Sequence, residues 1–248
     1  MKDMYFSDEC TRIERIINEY QPKCKEYFES VAAQTVTEQY CYGGDIHRGF
    51  YNPSLIEDII IGNVKRGRLT KKQKNNSRPA YVYGFDEQNK LTTVTGRYGR
   101  EFIIYNKDCQ IGITFDKYGI IAVCESEYEN NMLKSYTYYM CNSDDSTVID
   151  LRREVYTYSK NELAVDVYSF LNYKNTEMEK MLAECFKDCP YTHQKECNFD
   201  HTRYIFSIDG DYLKTYRIEE YDNEKRIPSM WDNRIFKVNK KRVISNQI

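Results

Sequence analysis

The sequence predicts an α+β protein. A helical N-terminal segment, residues 1–78, precedes a large antiparallel sheet over residues 79–248, laid out as a meander with one further helix packed on it. Three observations lead there. An aromatic-x-aromatic pattern recurs in YVYGF from Tyr81, YTYYMC from Tyr136, YTYS from Tyr156 and YIFSIDG from Tyr204, and a period of two belongs to a strand with two distinct faces. Short polar spacers separate these runs at hairpin distances. Apolar residues at helical spacing occur near the N-terminus and again around residue 180.

Taking the elements in order, Ser7 followed by Asp8 and Glu9 has the character of a helix start: a hydroxyl for the free backbone N–H groups and acids for the positive helix end. Ile13, Ile16, Ile17 and Tyr20 then form one apolar stripe, which Cys24, Tyr27, Phe28 and Val31 continue. Pro22 interrupts the run and predicts two helices or one kinked helix. The stretch YGGDIHRGFYNPS from Tyr42 reads as a loop, and SLIEDIII from Ser54 as a short helix or strand. Lys65 to Pro79 carries seven basic residues and no acid, the composition of a solvated linker or loop ahead of the sheet.

Beyond Pro79 about eleven strands are expected, divided by turns at Asp86, Asn106, Asp116, Asn142, Ser159 and Asp209. Asp209-Gly210 is the clearest hairpin signal and suits a type I′ turn. In NELAVDVYSFL, Leu163, Val165, Val167 and Leu171 share one face, while Ala164, Asp166, Tyr168 and Phe170 share the other. Tyr81, Tyr83 and Phe85 alternate onto one side, as do Tyr136, Tyr138 and Met140. The interrupting helix runs from Thr176, whose capping partner is Glu179, along Met178, Met181, Leu182, Cys185 and Cys189 until Pro190 ends it.

Composition narrows the function. The chain has 24 tyrosines among its 248 residues, enough to ask whether they form a recognition face or simply the sheet's packing. Net charge is −2, but residues 80–220 carry −8 and the flanks together +6. An acidic body argues against nucleic acid and favours a basic protein partner. The basic run 65–79 has no interleaved aromatic to stack on bases. An acid-bearing N-terminus without an apolar stretch, and no run near the roughly 18 residues of a membrane span, predict a cytoplasmic protein. Nine cysteines in a reducing compartment then read as free, mostly buried thiols.

One segment concentrates metal-ligating residues: Cys185, Cys189, His193, Cys197 and His201 recur every four positions. Zinc takes thiolate and imidazole ligands, but five candidates at this spacing match no standard finger, and two lie on the helix's apolar stripe. Zinc is therefore an alternative to core or loop roles for these residues. No phosphate-binding loop, nucleophile elbow or paired-histidine metalloprotease motif is present. His47, beside Arg48 in a Gly-rich loop, has the chemistry of a general acid or base, but with no identifiable partner it reads as a surface or hydrogen-bonded loop histidine. No catalytic residues are assigned, and the expected protein is not an enzyme.

Two units resemble YD-type repeats, in which an aromatic-x-aromatic strand leads through an Asp-containing turn into a leucine strand. Tyr81, Tyr83, Asp86 and Leu91 fit, as do Tyr204, Phe206, Asp209 and Leu213. With its tyrosine-rich sheet and acidic body the chain also resembles immunity proteins of bacterial polymorphic or contact-dependent toxin systems. That resemblance implies a cytoplasmic inhibitor that neutralises a cognate basic toxin domain, often a nuclease, by covering its active site or an essential surface. The expected contacts are Tyr136, Tyr138, Tyr156 and Tyr158 with the acidic turn Asp144 and Asp145. The alternatives are a zinc-supported cytoplasmic enzyme or regulator, and a structural interaction scaffold.

Overall fold

The computed structural model describes residues 2–42, 53–59, 68–75, 77–97, 99–107, 109–141, 148–172, 197–222 and 224–242. The expected helix from Thr176 to Cys189, the acidic turn Asp144 and Asp145, His47, and the side chains of Cys185, Cys189, His193 and Cys197 lie outside them.

The antiparallel sheet is larger than the sequence suggests, with fourteen strands. They are β1 (Thr37–Tyr42), β2 (Arg68–Thr70), β3 (Tyr81–Phe85), β4 (Leu91–Gly96), β5 (Arg100–Tyr105), β6 (Cys109–Phe115), β7 (Ile120–Glu129), β8 (Met132–Cys141), β9 (Val148–Tyr158), β10 (Glu162–Asn172), β11 (Cys197–Asp209), β12 (Tyr212–Asp222), β13 (Lys225–Ile227) and β14 (Phe236–Arg242). From β3 to β12 each strand pairs with the next, as a meander requires. β1 adds to β3, β2 adds to β1, and β13 and β14 both pair β12.

Two expectations for the N-terminal segment are corrected. It is not only helical, because β1 and β2 join the same sheet. The basic run contains an edge strand, Arg68–Thr70; cationic side chains are one way an edge avoids pairing with another chain.

Helix α1 (Lys2–Tyr20) starts five residues before Ser7, so Glu9 lies inside the helix and turns to ionic contacts on the sheet. Pro22 yields two helices: a 3₁₀ turn at Gln21–Lys23 joins α1 to α2 (Cys24–Ala32). Their stripe is the one the sequence indicates. Ile13, Ile17 and Cys24 are buried, with Ile16, Tyr20, Phe28 and Val31 packed alongside, against Phe102, Ile113, Phe115, Val123, Tyr139 and Leu151. Burying each large aliphatic side chain is worth about 1.5–3 kcal/mol. Tyr168 and Phe170 pack on this cluster, so the mixed aromatic face of β10 belongs to the sheet face that carries α1 and α2.

Leu163, Val165 and Val167 point to the opposite face. There Leu55 and Ile56 of α3 (Leu55–Ile59) join Leu133, Tyr136, Tyr156, Phe206 and Leu213. A third cluster holds Cys41, Tyr83, Phe85 and Leu91 with Tyr81 beside it, as the alternation of Tyr81, Tyr83 and Phe85 implies.

The turns follow their residue chemistry. The Asp86 carboxylate accepts from the N–H of Gln88 (2.9 Å) and Lys90 (2.8 Å), and that of Asp116 from Tyr118 (2.7 Å) and Gly119 (3.2 Å). The Asp209 hairpin differs from the type I′ expectation. Gly210 has φ +59° and Asp211 has no positive φ, the arrangement of a type II′ turn with glycine first. The type I′ pattern occurs between β7 and β8, where Asn130 and Asn131 both take positive φ, +52° and +63°.

Candidate functional site: a charged cleft between the first helix and the sheet

Beyond the apolar cluster, the helix-covered face becomes polar. The strand register sets Glu125, Thr137, Arg153, Tyr168, His201 and Tyr221 in one row across β7 to β12. The next row carries Glu127, Ser135, Val155, Asp166, Arg203 and Glu219. Strand alternation places all these side chains on one face, and α1 lowers Glu9 and Arg12 onto its near end.

Arg12 is the hub. Its guanidinium donates to Glu125 Oε1 at 2.8 Å, to Glu9 Oε2 at 2.9 Å and to the Tyr139 hydroxyl at 3.0 Å, and its Nη2 lies 2.5 Å from Glu125 Oε2. Tyr139 in turn donates to Glu9 Oε2 at 3.0 Å, and Arg153 donates to Glu9 Oε1. Burial lifts the Glu125 carboxyl above the usual carboxylate range, against the pull of Arg12. Burial works against the Arg12 charge, but Tyr139, Glu125 and Glu9 together raise its pKa.

Between these groups lies a cleft of about 220 Å³ lined by Glu9, Arg12, Glu125, Glu127, Ser135, Thr137 and Arg153. Three carboxylates face two guanidinium groups. Glu127 accepts from the Ser135 hydroxyl at 2.7 Å but has no cation partner among the described residues. The cleft therefore carries an excess of negative charge.

The far end of the row is built around Asp166. Arg203 donates to both its oxygens, at 2.8 and 3.0 Å, and His201 Nε2 lies 2.8 Å from Oδ1. The imidazole is stacked between Tyr168 and Tyr221, with centroids at 4.4 and 4.7 Å. Burial alone would raise the Asp166 carboxyl, but the hydrogen bonds from His201 and Arg203 outweigh it and hold it low. His201, the one member of the metal-like series with a described side chain, is thus committed to a carboxylate and two rings. Among the described residues no group of three or more His, Cys, Asp or Glu side chains is placed to hold a metal ion.

The opposite face holds a second charged group beneath α3. Arg152 lies 2.6 Å from Glu57 and 3.1 Å from the fully buried Glu154. Glu154 also accepts from Ser54 Oγ (2.6 Å) and from the Tyr156 hydroxyl (2.5 Å). Ser54 Oγ accepts from the Glu57 N–H at 3.0 Å, and the Leu55 N–H donates to the Tyr156 hydroxyl at 3.1 Å. The sequence carried a signal for this group: Ser54-x-x-Glu57 has the spacing of a capping box, and Arg152 and Glu154 are charges two apart within a strand. Recognising their role requires knowing that α3 lands on them.

The expected tyrosine contacts sit beside this network. Tyr136 is fully buried, Tyr156 is 5% exposed, and Tyr138 and Tyr158 pack half-buried on the same cluster. As placed, Tyr136 and Tyr156 offer a partner no free surface, and their rings serve sheet packing. Of the nine cysteines, Cys24, Cys41, Cys109, Cys124 and Cys141 have described side chains, and all five are free thiols. Among the described residues no helix is long and apolar enough to cross a membrane. Compared with family models, curated proteins and solved structures, the chain matches none of them.

Proposed function

We propose that the chain is an immunity-type binding protein, which neutralises a cognate basic toxin domain by protein–protein association. The observation that carries this reading is the cleft beneath α1. It has three carboxylates to two guanidinium groups, Glu127 has no cation partner among the described residues, and residues 80–220 of the sequence carry −8. A lysine or arginine of the partner entering beside Glu127 completes the charge balance, and the acidic body steers it there. Asp144 and Asp145 add to the negative charge of the same stretch of sequence. The tyrosines stiffen the sheet that presents these acids.

The test is capture of partners from the producing cells with tagged protein, at low and moderate salt, using wild type and Glu127→Gln. One basic protein is expected in stoichiometric amount, recovered less at moderate salt and less by the variant. Equal recovery by both proteins at both salt levels sinks the cleft as the contact, and recovery of no basic protein at either level sinks the immunity reading.

A further inference from the structure

On the face opposite α1, near the C-terminal edge of the sheet, a second cavity of about 280 Å³ is lined by Thr202 and Tyr204 of β11, Tyr216, Ile218 and Glu220 of β12, Trp231, and Phe236 of β14. Its walls are largely aromatic. Tyr216 and Phe236 stack at 4.9 Å, Tyr204 tilts by 50° against Tyr216 at 6.3 Å, and Trp231 tilts by 58° against Phe236 at 6.0 Å. An array of π faces attracts a cation within about 6 Å of a ring centroid. The Trp231 indole already does so at its rim, where the Arg234 guanidinium lies 5.6 Å from the ring.

The single carboxylate in this cage, Glu220, has no cation partner among the described residues. The neighbouring arginines are engaged elsewhere: Arg217 with Glu162 (3.5 Å) and Glu219 (3.9 Å), Arg226 with Asp232 (2.9 Å) and Glu219 (4.0 Å), and Arg234 over the Trp231 ring. Both parts of the lining, rings and carboxylate, favour positive charge. A primary ammonium is compact and strongly hydrated, whereas four of the seven lining residues, Tyr204, Tyr216, Trp231 and Phe236, are aromatic and only Glu220 is a carboxylate, a lining that favours a weakly hydrated cation. A methylated ammonium donates nothing and sheds its hydration more readily. The volume, about 280 Å³, lies just below the range for drug-sized sites, about 300–1,000 Å³, and suits a small head group.

From this we infer that the Tyr204–Tyr216–Trp231–Phe236 cage with Glu220 is a binding site for a small molecule bearing a quaternary ammonium group. The inference does not depend on the immunity reading, since cage and charged cleft lie on opposite faces.

Trp231 is the only tryptophan in the chain, so its fluorescence reports on the cage alone. The full chain is titrated with tetramethylammonium chloride at constant ionic strength. Sodium chloride, the neutral isostere tert-butanol and N-acetyl-lysine amide serve as parallel arms. A saturable change is expected with tetramethylammonium only, and Glu220→Gln, with far-ultraviolet circular dichroism unchanged, should weaken it about tenfold through loss of one close charge. A response to tetramethylammonium no different from sodium chloride overturns the site. Equal binding of tert-butanol, or undiminished binding by Glu220→Gln, shows an apolar cavity without cation selectivity and overturns it too. Tighter binding of the lysine derivative overturns the quaternary assignment and makes the cage a receptor for a basic side chain.

Discussion

Tyr136 and Tyr156 make a matched pair. Both lie on the α3 face, are essentially buried and were expected at a partner interface, yet removing the hydroxyl should change stability in opposite directions. The Tyr156 hydroxyl donates to Glu154 at 2.5 Å and accepts from the Leu55 N–H at 3.1 Å. The Tyr136 hydroxyl is buried with no hydrogen-bond partner among the described residues, and burial and the nearby Glu57 and Glu154 raise its pKa. Leaving a buried hydroxyl unsatisfied costs about 1–3 kcal/mol, and a hydrogen bond to a charged group contributes about 1.5–3 kcal/mol. Tyr136→Phe should therefore stabilise the protein by about 1 kcal/mol. Tyr156→Phe should destabilise it by about 3 kcal/mol, because it also strips a donor from a buried carboxylate and a partner from the first turn of α3. In a chain of this length about 1 kcal/mol moves Tm by about 2–4 °C, so the two midpoints should separate by about 8–16 °C. Urea unfolding followed by circular dichroism measures this, with an unchanged m-value required for the comparison. A Tyr136→Phe protein less stable than wild type by 1 kcal/mol or more would refute the reasoning, since its hydroxyl would have to be bonded.

Three further outcomes follow. Gly119 has φ +153°, and a Cβ there would lie 2.3 Å from Gln21 Nε2, the side chain whose Oε1 accepts the Ile120 N–H at 2.7 Å. Gly119→Ala should thus lower Tm and loosen the α1–α2 joint, measured as faster amide exchange at Ile120; unchanged exchange would contradict it. The folded-state pKa of Asp166 is depressed, so its contribution is present above the unfolded value of about 3.9 and is lost as pH falls through the lower folded value. The stability gap between wild type and Asp166→Asn should accordingly be widest near neutral pH and close below about pH 4; a pH-independent gap would remove the ionic role. Burial pushes the Cys24 thiol up to about 11, and burial with Glu125 and Glu127 pushes that of Cys109 up to about 12. Iodoacetamide at pH 8 should leave both unmodified in folded protein and label both in urea, as read by peptide mass spectrometry; rapid native labelling would contradict their placement.

The sequence by itself determined the local structure and the class of fold. The stripe from Ile13 to Val31, the break at Pro22, the alternation in YVYGF and NELAVDVYSFL, and Asp86 and Asp116 closing their own turns all depend on residues within one helical turn or hairpin, where spacing is the physics. The β7–β8 hairpin was legible in principle at Asn130-Asn131, since asparagine tolerates positive φ. Tertiary structure alone decided which face each helix covers and which charges meet. Glu9 and Glu125 are 116 residues apart in the chain, and Ser54 and Glu154 are 100 apart, so no local pattern links them. Nor can alternation say whether a tyrosine face meets solvent or another layer. It records two sides of a strand, and only the landing of α3 on Arg152, Glu154 and Tyr156 turned the tyrosine side into core. The charged cleft exists for the same reason: α1 crosses strands far from it in sequence, and its Arg12 is drawn to carboxylates that the strand register had already gathered.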